Sequence, residues 1–225
     1  MAKSVTLFFS CFSFNSLPLF AVGRCPGSKA VFFNQTNSFA STPRISLNGR
    51  SFTITCWIKQ TKWVPDVLAA IYGDWYFPRQ FLLSIKNEKI IFHRHQNGSE
   101  EWWSLESSKV NWDNWTHVAV VWYHEKGAVF IYANGQEVGY RSYNPGASFF
   151  QPTGKLYHIG NDGLTDDHQF NGSVVDLYVF GTALSLHQIN KLRGELYATT
   201  HSCGKIWNFK TVRDILHCNV TSNMA

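Results

Sequence analysis

The chain has 225 residues, with 20 Lys and Arg against 15 Asp and Glu, 16% aromatic residues and nine Trp. That length and apolar content suffice for one well-filled core. The net charge of +5 is spread along the chain without a basic stripe, which argues against nucleic acid as the partner.

At the start of the chain, Lys3 is the only charge before Arg24, and it precedes an apolar run from Val5 to Val22 that Asn15 and Pro18 interrupt. A membrane-spanning helix needs about 20 unbroken apolar residues, so this run is too short, and no later one is longer. Ala21 and Gly23 put small residues at the −3 and −1 positions before Arg24, the pattern of a secretory leader. Residues 1–23 are therefore expected to be a signal peptide, residues 24–200 one domain, and residues 201–225 a cysteine-bearing tail packing on it. Cys11 falls in the leader. The remaining cysteines, Cys25, Cys56, Cys203 and Cys218, suit two disulfides in an exported protein, with three connectivities open. Asn-X-Ser/Thr sequons at Asn34, Asn97, Asn171 and Asn219 are expected to carry glycans. A further sequon at Asn114 is set apart because Trp115 occupies its middle position.

Period-two alternation dominates the body of the chain. It predicts strands at residues 29–34, 51–59, 67–72, 80–85 and 89–94, separated by turn formers such as Asn48-Gly49, Lys86-Asn87 and Asn97-Gly98. Residues 115–123 and 128–133 form a hairpin. Asn134-Gly135, suited to the positive φ values of a type I′ turn, leads into a strand at 136–141. Residues 156–160 and 172–181 supply two more. Many short strands with frequent turns predict an all-β, antiparallel jelly-roll sandwich. One short helix is expected at 185–195, where Ser185 and Gln188 form a capping box and Leu186, Ile189, Leu192 and Leu196 a docking stripe.

Trp115-Thr-His-Val-Ala-Val-Val-Trp122, followed by Val129-Phe-Ile-Tyr-Ala-Asn-Gly135, resembles the central hairpin of laminin G-like and pentraxin domains, members of the concanavalin A-like superfamily. Ser51-Phe-Thr-Ile-Thr-Cys-Trp-Ile58, Leu156-Tyr-His-Ile-Gly160 and Phe170-Asn-Gly-Ser-Val-Val-Asp-Leu-Tyr-Val-Phe180 match further strands of those families in order. Trp115 and Trp122 read as core anchors at the two ends of one strand. Pentraxins link the early strand to the hairpin by a disulfide. Here Thr55 and Ala119 stand at those positions and Cys56 is one residue off, facing the other side, so that bridge is absent.

Glycoside hydrolases on this sandwich set two carboxylates on one strand face, which requires even spacing. No Glu here is followed two residues later by Asp or Glu, and no nucleophile elbow appears, so the chain is not expected to be an enzyme. His93 and His95, flanking Arg94, read as polar-face residues. The loop Asn161-Asp-Gly-Leu-Thr-Asp-Asp-His168 gathers hard oxygens suited to Ca²⁺. By the resemblance, Asp162 and Asp166 fall near ligand positions; Asp167 and, from an earlier turn, Asp74 complete the candidate set. The function expected is a secreted, calcium-assisted module that binds extracellular glycans or matrix glycoproteins. A structural or adhesion module without lectin activity is the alternative.

Overall fold

The computed structural model describes residues 13–14, 19–22, 29–34, 38–43, 47, 49–73, 81–95, 102–144, 156–162 and 168–195. Its strands are β1 (Ser13–Phe14), β2 (Leu19–Val22), β3 (Lys29–Phe33), β4 (Ala40–Pro43), β5 (Phe52–Gln60), β6 (Ala69–Gly73) and β7 (Phe81–Lys86). They continue with β8 (Lys89–His95), β9 (Trp102–Lys109), β10 (Thr116–Tyr123), β11 (Ala128–Ala133), β12 (Gln136–Ser142), β13 (Leu156–Ile159) and β14 (Gly172–Phe180), followed by α1 (Leu186–Glu195). Two seven-stranded sheets face one another, with orders β1-β4-β13-β6-β7-β8-β9 and β12-β11-β10-β5-β14-β3-β2. Every pairing is antiparallel, as the alternation required.

The centre of the second sheet is set by β5, β10 and β11. Val118, Val120 and Trp122 point between the sheets, while Ala119 and Val121 point outward to the face that α1 covers. Both sides of β10 are thus buried, which explains its unbroken apolar run. Asn134 and Gly135 adopt φ values of 51° and 78°, the left-handed pair that a two-residue hairpin needs. The capping box of α1 forms as expected: the Ser185 amide donates to Gln188 Oε1 at 2.8 Å, and the Gln188 amide to Ser185 Oγ at 3.3 Å. Its stripe is narrower than the spacing implied. Ile189 is buried and Leu192 packs beside it, but Leu186 is exposed and Leu184, ahead of the helix, takes its place.

Trp122 is the hub of the core. It stacks on Phe52 (centroids 5.9 Å apart, planes 4° apart) and on Tyr143 (4.1 Å), with Trp103 edge-on at 5.4 Å. The guanidinium of Arg94 lies 4.3 Å from its centroid. Arg94 therefore faces the core and not a polar surface, and His95 is buried too. Trp115 is half-buried beside the smaller cluster of Ala30, Trp57 and Val175, away from the main core where the sequence had placed it.

Thr55 pairs directly across from Ala119, as the resemblance implied, and Cys56 sits opposite Val118. Cys56 is a free, fully buried thiol in the inter-sheet core, which corrects its expected disulfide. Its side chain points inward with those of Ile54 and Ile58, into the apolar inter-sheet core. Burial, reinforced by Asp176, pushes its pKa up to about 12, so it stays protonated and inert at neutral pH. Cys25, Cys203 and Cys218 lie outside the described residues, as does the tail 201–225. Part of the segment read as a leader forms β1 and β2. Both are edge strands, so a chain beginning at Arg24 keeps the order of all the other strands.

The Trp122→Ala variant is expected to lose about 3–5 kcal/mol of stability, the usual cost of truncating a buried aromatic. Trp115→Ala, against the smaller cluster, should lose less. Urea denaturation of the two proteins checks the order; equal or reversed losses would mean the core is anchored elsewhere.

Candidate functional site

Of the expected calcium ligands, Asp162 is described, and its carboxylate is fully buried. Nδ1–H of His168 donates to Asp162 Oδ2, closing the base of the acidic loop. Other bonds zip the same stem. The Gly160 amide donates to Ile71 O at 3.1 Å, and the Phe170 amide to Gly160 O at 2.9 Å. The Gln169 side-chain amide donates to Ser38 O at 2.9 Å and to Gly160 O at 2.6 Å. Gly160 has a φ of 85°, and a Cβ there would come within 2.5 Å of the Phe33 ring, which accounts for the Ile-Gly pair at this point.

In the facing sheet His158 pairs with Gly73 and Ile159 with Tyr72 in antiparallel fashion. Asp74, Asp166 and Asp167 themselves lie outside the described residues. Among the described residues no three His, Cys, Asp or Glu side chains gather as a metal group. Of the calcium set drawn from the sequence, the described member, Asp162, is thus hydrogen-bonded to His168. Of the sequons, Asn34 is exposed and Asn171 half-buried; Asn97 and Asn219 lie outside the described residues.

At the end of the sandwich where β5 stops and β14 begins, the structure opens a second feature, a cleft of about 680 Å³. One wall is the β5–β6 loop with Lys62 and Trp63; the other is the β9–β10 loop with Asn111, Trp112 and Asp113; Glu88 and Lys109 lie between. Trp63 is 47% exposed and Val64 42%, so an indole stands in solvent at the rim. The cleft is held by backbone and short side chains. Glu88 O accepts from the Val110 amide at 2.9 Å and from Trp112 Nε1 at 3.1 Å. Asn87 Oδ1 accepts from the Asp66 amide at 2.9 Å while Asn87 Nδ2 donates to Asp66 Oδ1 at 2.8 Å. The Thr61 amide donates to Asn171 O at 3.0 Å, joining this loop to the base of β14.

Asp66, Asn87 and Glu88 all have left-handed φ values, of 60°, 50° and 66°. For Glu88, which has no short side chain to bond its own backbone, this costs on the order of 1 kcal/mol. The two donors on its carbonyl and the 2.7 Å ion pair from Lys109 hold it there. Strain kept beside an exposed aromatic marks a preformed surface. The sequence reading passed over it, although a Trp between Lys62 and Val64-Pro65 in a turn is an exposed aromatic with no strand pattern to bury it. Trp112 is likewise a lone aromatic among Asn111, Asp113 and Asn114.

Replacing Asp162 by Asn removes a charged acceptor at a fully buried position. The expected loss is about 1–3 kcal/mol, in EDTA as much as in millimolar Ca²⁺. Thermal melts in both buffers test this. A loss confined to the Ca²⁺ buffer would mean that the carboxylate serves a cation.

The comparisons with known proteins agree with this architecture. The family model of the concanavalin A-like lectin/glucanases superfamily, of laminin G type, matches residues 34–190. The pentraxin-related protein PTX3 of Mus musculus is 23% identical over 176 residues, which cover 73% of this chain and 45% of that protein. The chain thus spans under half the length of this relative. The binding domain of Paraclostridial mosquitocidal protein 1 superposes with a TM-score of 0.70 at 13% identity, covering 88% of this chain and 52% of that one. Domain 4 of AbnA, an extracellular GH43 arabinanase of Geobacillus stearothermophilus solved with arabinotriose, gives a TM-score of 0.59 at 20% identity, covering 79% and 82%. At these identities the structural likenesses carry the fold. The family match takes in both sheets of the sandwich and more than half of the residues, and the chain belongs to the concanavalin A-like lectin/glucanases superfamily.

Proposed function

We propose that the chain is an exported recognition module that binds glycans of extracellular glycoproteins through the cleft between the β5–β6 and β9–β10 loops. The observation that carries this reading is Trp63, an indole held in solvent beside polar side chains on a braced rim. A flat aromatic face takes the C–H face of a sugar ring, while neighbouring amides and charges take its hydroxyls. The fold supports the reading at the level of class, since the solved domains it resembles are described as binding domains or carry a bound oligosaccharide. The leader pattern and the sequons support export, and no described helix is long and apolar enough to cross a membrane.

A recognition role is also favoured over catalysis. Glu88, a carboxylate in the cleft, is ion-paired with Lys109 at 2.7 Å, which leaves it poorly placed as a general acid. Calcium has no part in the reading, because the described member of the expected ligand set is engaged by His168.

Expression in a eukaryotic secretory host is expected to yield protein in the medium, starting near Arg24 and losing mass on N-glycosidase treatment. This protein should adhere to cell-deposited matrix and lose that adhesion once the matrix glycans are enzymatically removed. Adhesion that survives deglycosylation but not proteolysis of the matrix would favour the protein-binding alternative.

A further inference from the structure

We infer that the cleft selects neutral glycans, seating a pyranose or furanose ring on Trp63 without any metal ion. This rests on the glycan-binding reading above and specifies its ligand class. Three features of the cleft lead to it.

The first is charge balance. The lining contains two lysines, Lys62 and Lys109, and two carboxylates, Glu88 and Asp113. Lys109 and Glu88 neutralise each other across 2.7 Å. Lys62 and Asp113 remain, one of each sign, and among the described residues the charged group of neither has an ion-pair or hydrogen-bond partner. A sialylated or sulfated ligand would meet Asp113 as well as Lys62, with little net attraction and a like-charge penalty. An uncharged polyol can use both, donating a hydroxyl proton to the Asp113 carboxylate and accepting one from the Lys62 ammonium.

The second feature is the kind of surface. Trp63 makes no ring contact or side-chain hydrogen bond among the described residues, and its exposure of 47% leaves a ring face open. Trp112, by contrast, is tied by its Nε1 to Glu88 O, so it forms wall and not platform. The donors and acceptors around Trp63 are short and uncharged apart from the pairs already named: Gln60, Thr61 and Asn111. This mixture of one stacking face with hydroxyl-sized polar groups matches a sugar better than a lipid headgroup, which would require a net cationic rim.

The third feature is rigidity. The Asp66–Asn87 pair, the Glu88 carbonyl and the Thr61–Asn171 bond fix both walls before any ligand arrives. A bound cation is not needed to organise them, so binding is independent of Ca²⁺.

The experiment is calorimetric titration of the secreted protein, in EDTA and in millimolar Ca²⁺. The probes are N-acetyllactosamine, mannotriose, cellotriose and arabinotriose, against 3′-sialyl-N-acetyllactosamine, a heparin hexasaccharide and phosphatidylserine/phosphatidylcholine vesicles. Trp63→Ala and Asp162→Asn are the variants, and thermal melts report whether each is folded. The expected result is binding of at least one neutral probe with equal affinity in both buffers. Trp63→Ala should weaken it by roughly tenfold or more with an unchanged melting temperature, since the residue is on the surface. Binding confined to the sialylated or sulfated probes and sensitive to Trp63 would overturn the neutral assignment while leaving the glycan-binding function in place. Binding that requires Ca²⁺ and ignores Trp63→Ala would overturn the site. Association with vesicles alone, sensitive to Trp63, would make the rim a membrane contact. No binding to any glycan by a folded protein would overturn both this inference and the function it rests on.

Discussion

The stacking of Trp122 against Phe52, Tyr143 and Arg94 is the interaction on which the other features depend. Trp122 belongs to β10, Phe52 to β5 and Arg94 to β8, so one cluster fastens the centre of one sheet to the facing sheet. Arg94 is the unusual member. Burial lowers its pKa to about 9, yet it stays cationic at neutral pH. Removing a guanidinium from water is costly; the electron-rich faces of Trp122 and Phe52, 4.3 and 5.3 Å from its carbon, and the Leu47 carbonyl offset that cost. A charge that must lie over two adjoining rings also tolerates little slippage of the sheets, which is how a polar residue can specify one packing of an otherwise apolar interior.

With the sheets locked, the loops at one end are fixed by where their strands stop. β5 delivers Trp63 just past Gln60, and β9 delivers Trp112 just past Lys109, on opposite sides of the β7–β8 turn. Glu88 in that turn then receives donors from Val110 and Trp112 and is held in a conformation that glycine would favour. Order is thus carried from the core to an exposed aromatic rim. For recognition this is useful because a wall already in place loses little entropy when a ligand docks.

The sequence reveals the second sheet more completely than the first. In β10, β11 and β12 the apolar run, the Asn134-Gly135 turn and the bulky ends leave one arrangement, and the register agrees with it. β4 and β9 carry no such pattern. β4 is built from Ala40, Ser41, Thr42 and Pro43, too small and polar to announce burial, although Ser41 and Thr42 are buried. In β9 an inward position falls on Ser107, whose buried Oγ accepts the Ile90 amide at 2.9 Å beside a register shift. The same limitation governs the candidate sites. The carboxylates in residues 161–168 are legible as a group, but the hydrogen bond from His168 to Asp162 is not, because the fold and not the spacing sets it. Trp63 was visible as a residue. That it lines one cleft with Trp112 was not, because the two are far apart in sequence and share a cleft only through the stacking of the two sheets.

The central claim, that ligand contact occurs at Trp63 and not at the acidic loop, is tested most directly by the indole N–H resonances of the nine Trp during titration with a neutral oligosaccharide. Each indole gives its own signal, and the assignments follow from single substitutions. The account predicts that the Trp63 resonance moves most, that Trp112 moves less because its N–H is held by Glu88, and that Trp122 in the core stays still. Movement confined to the backbone around Gly160 and Phe170, with the Trp63 signal unchanged at saturation, would contradict it.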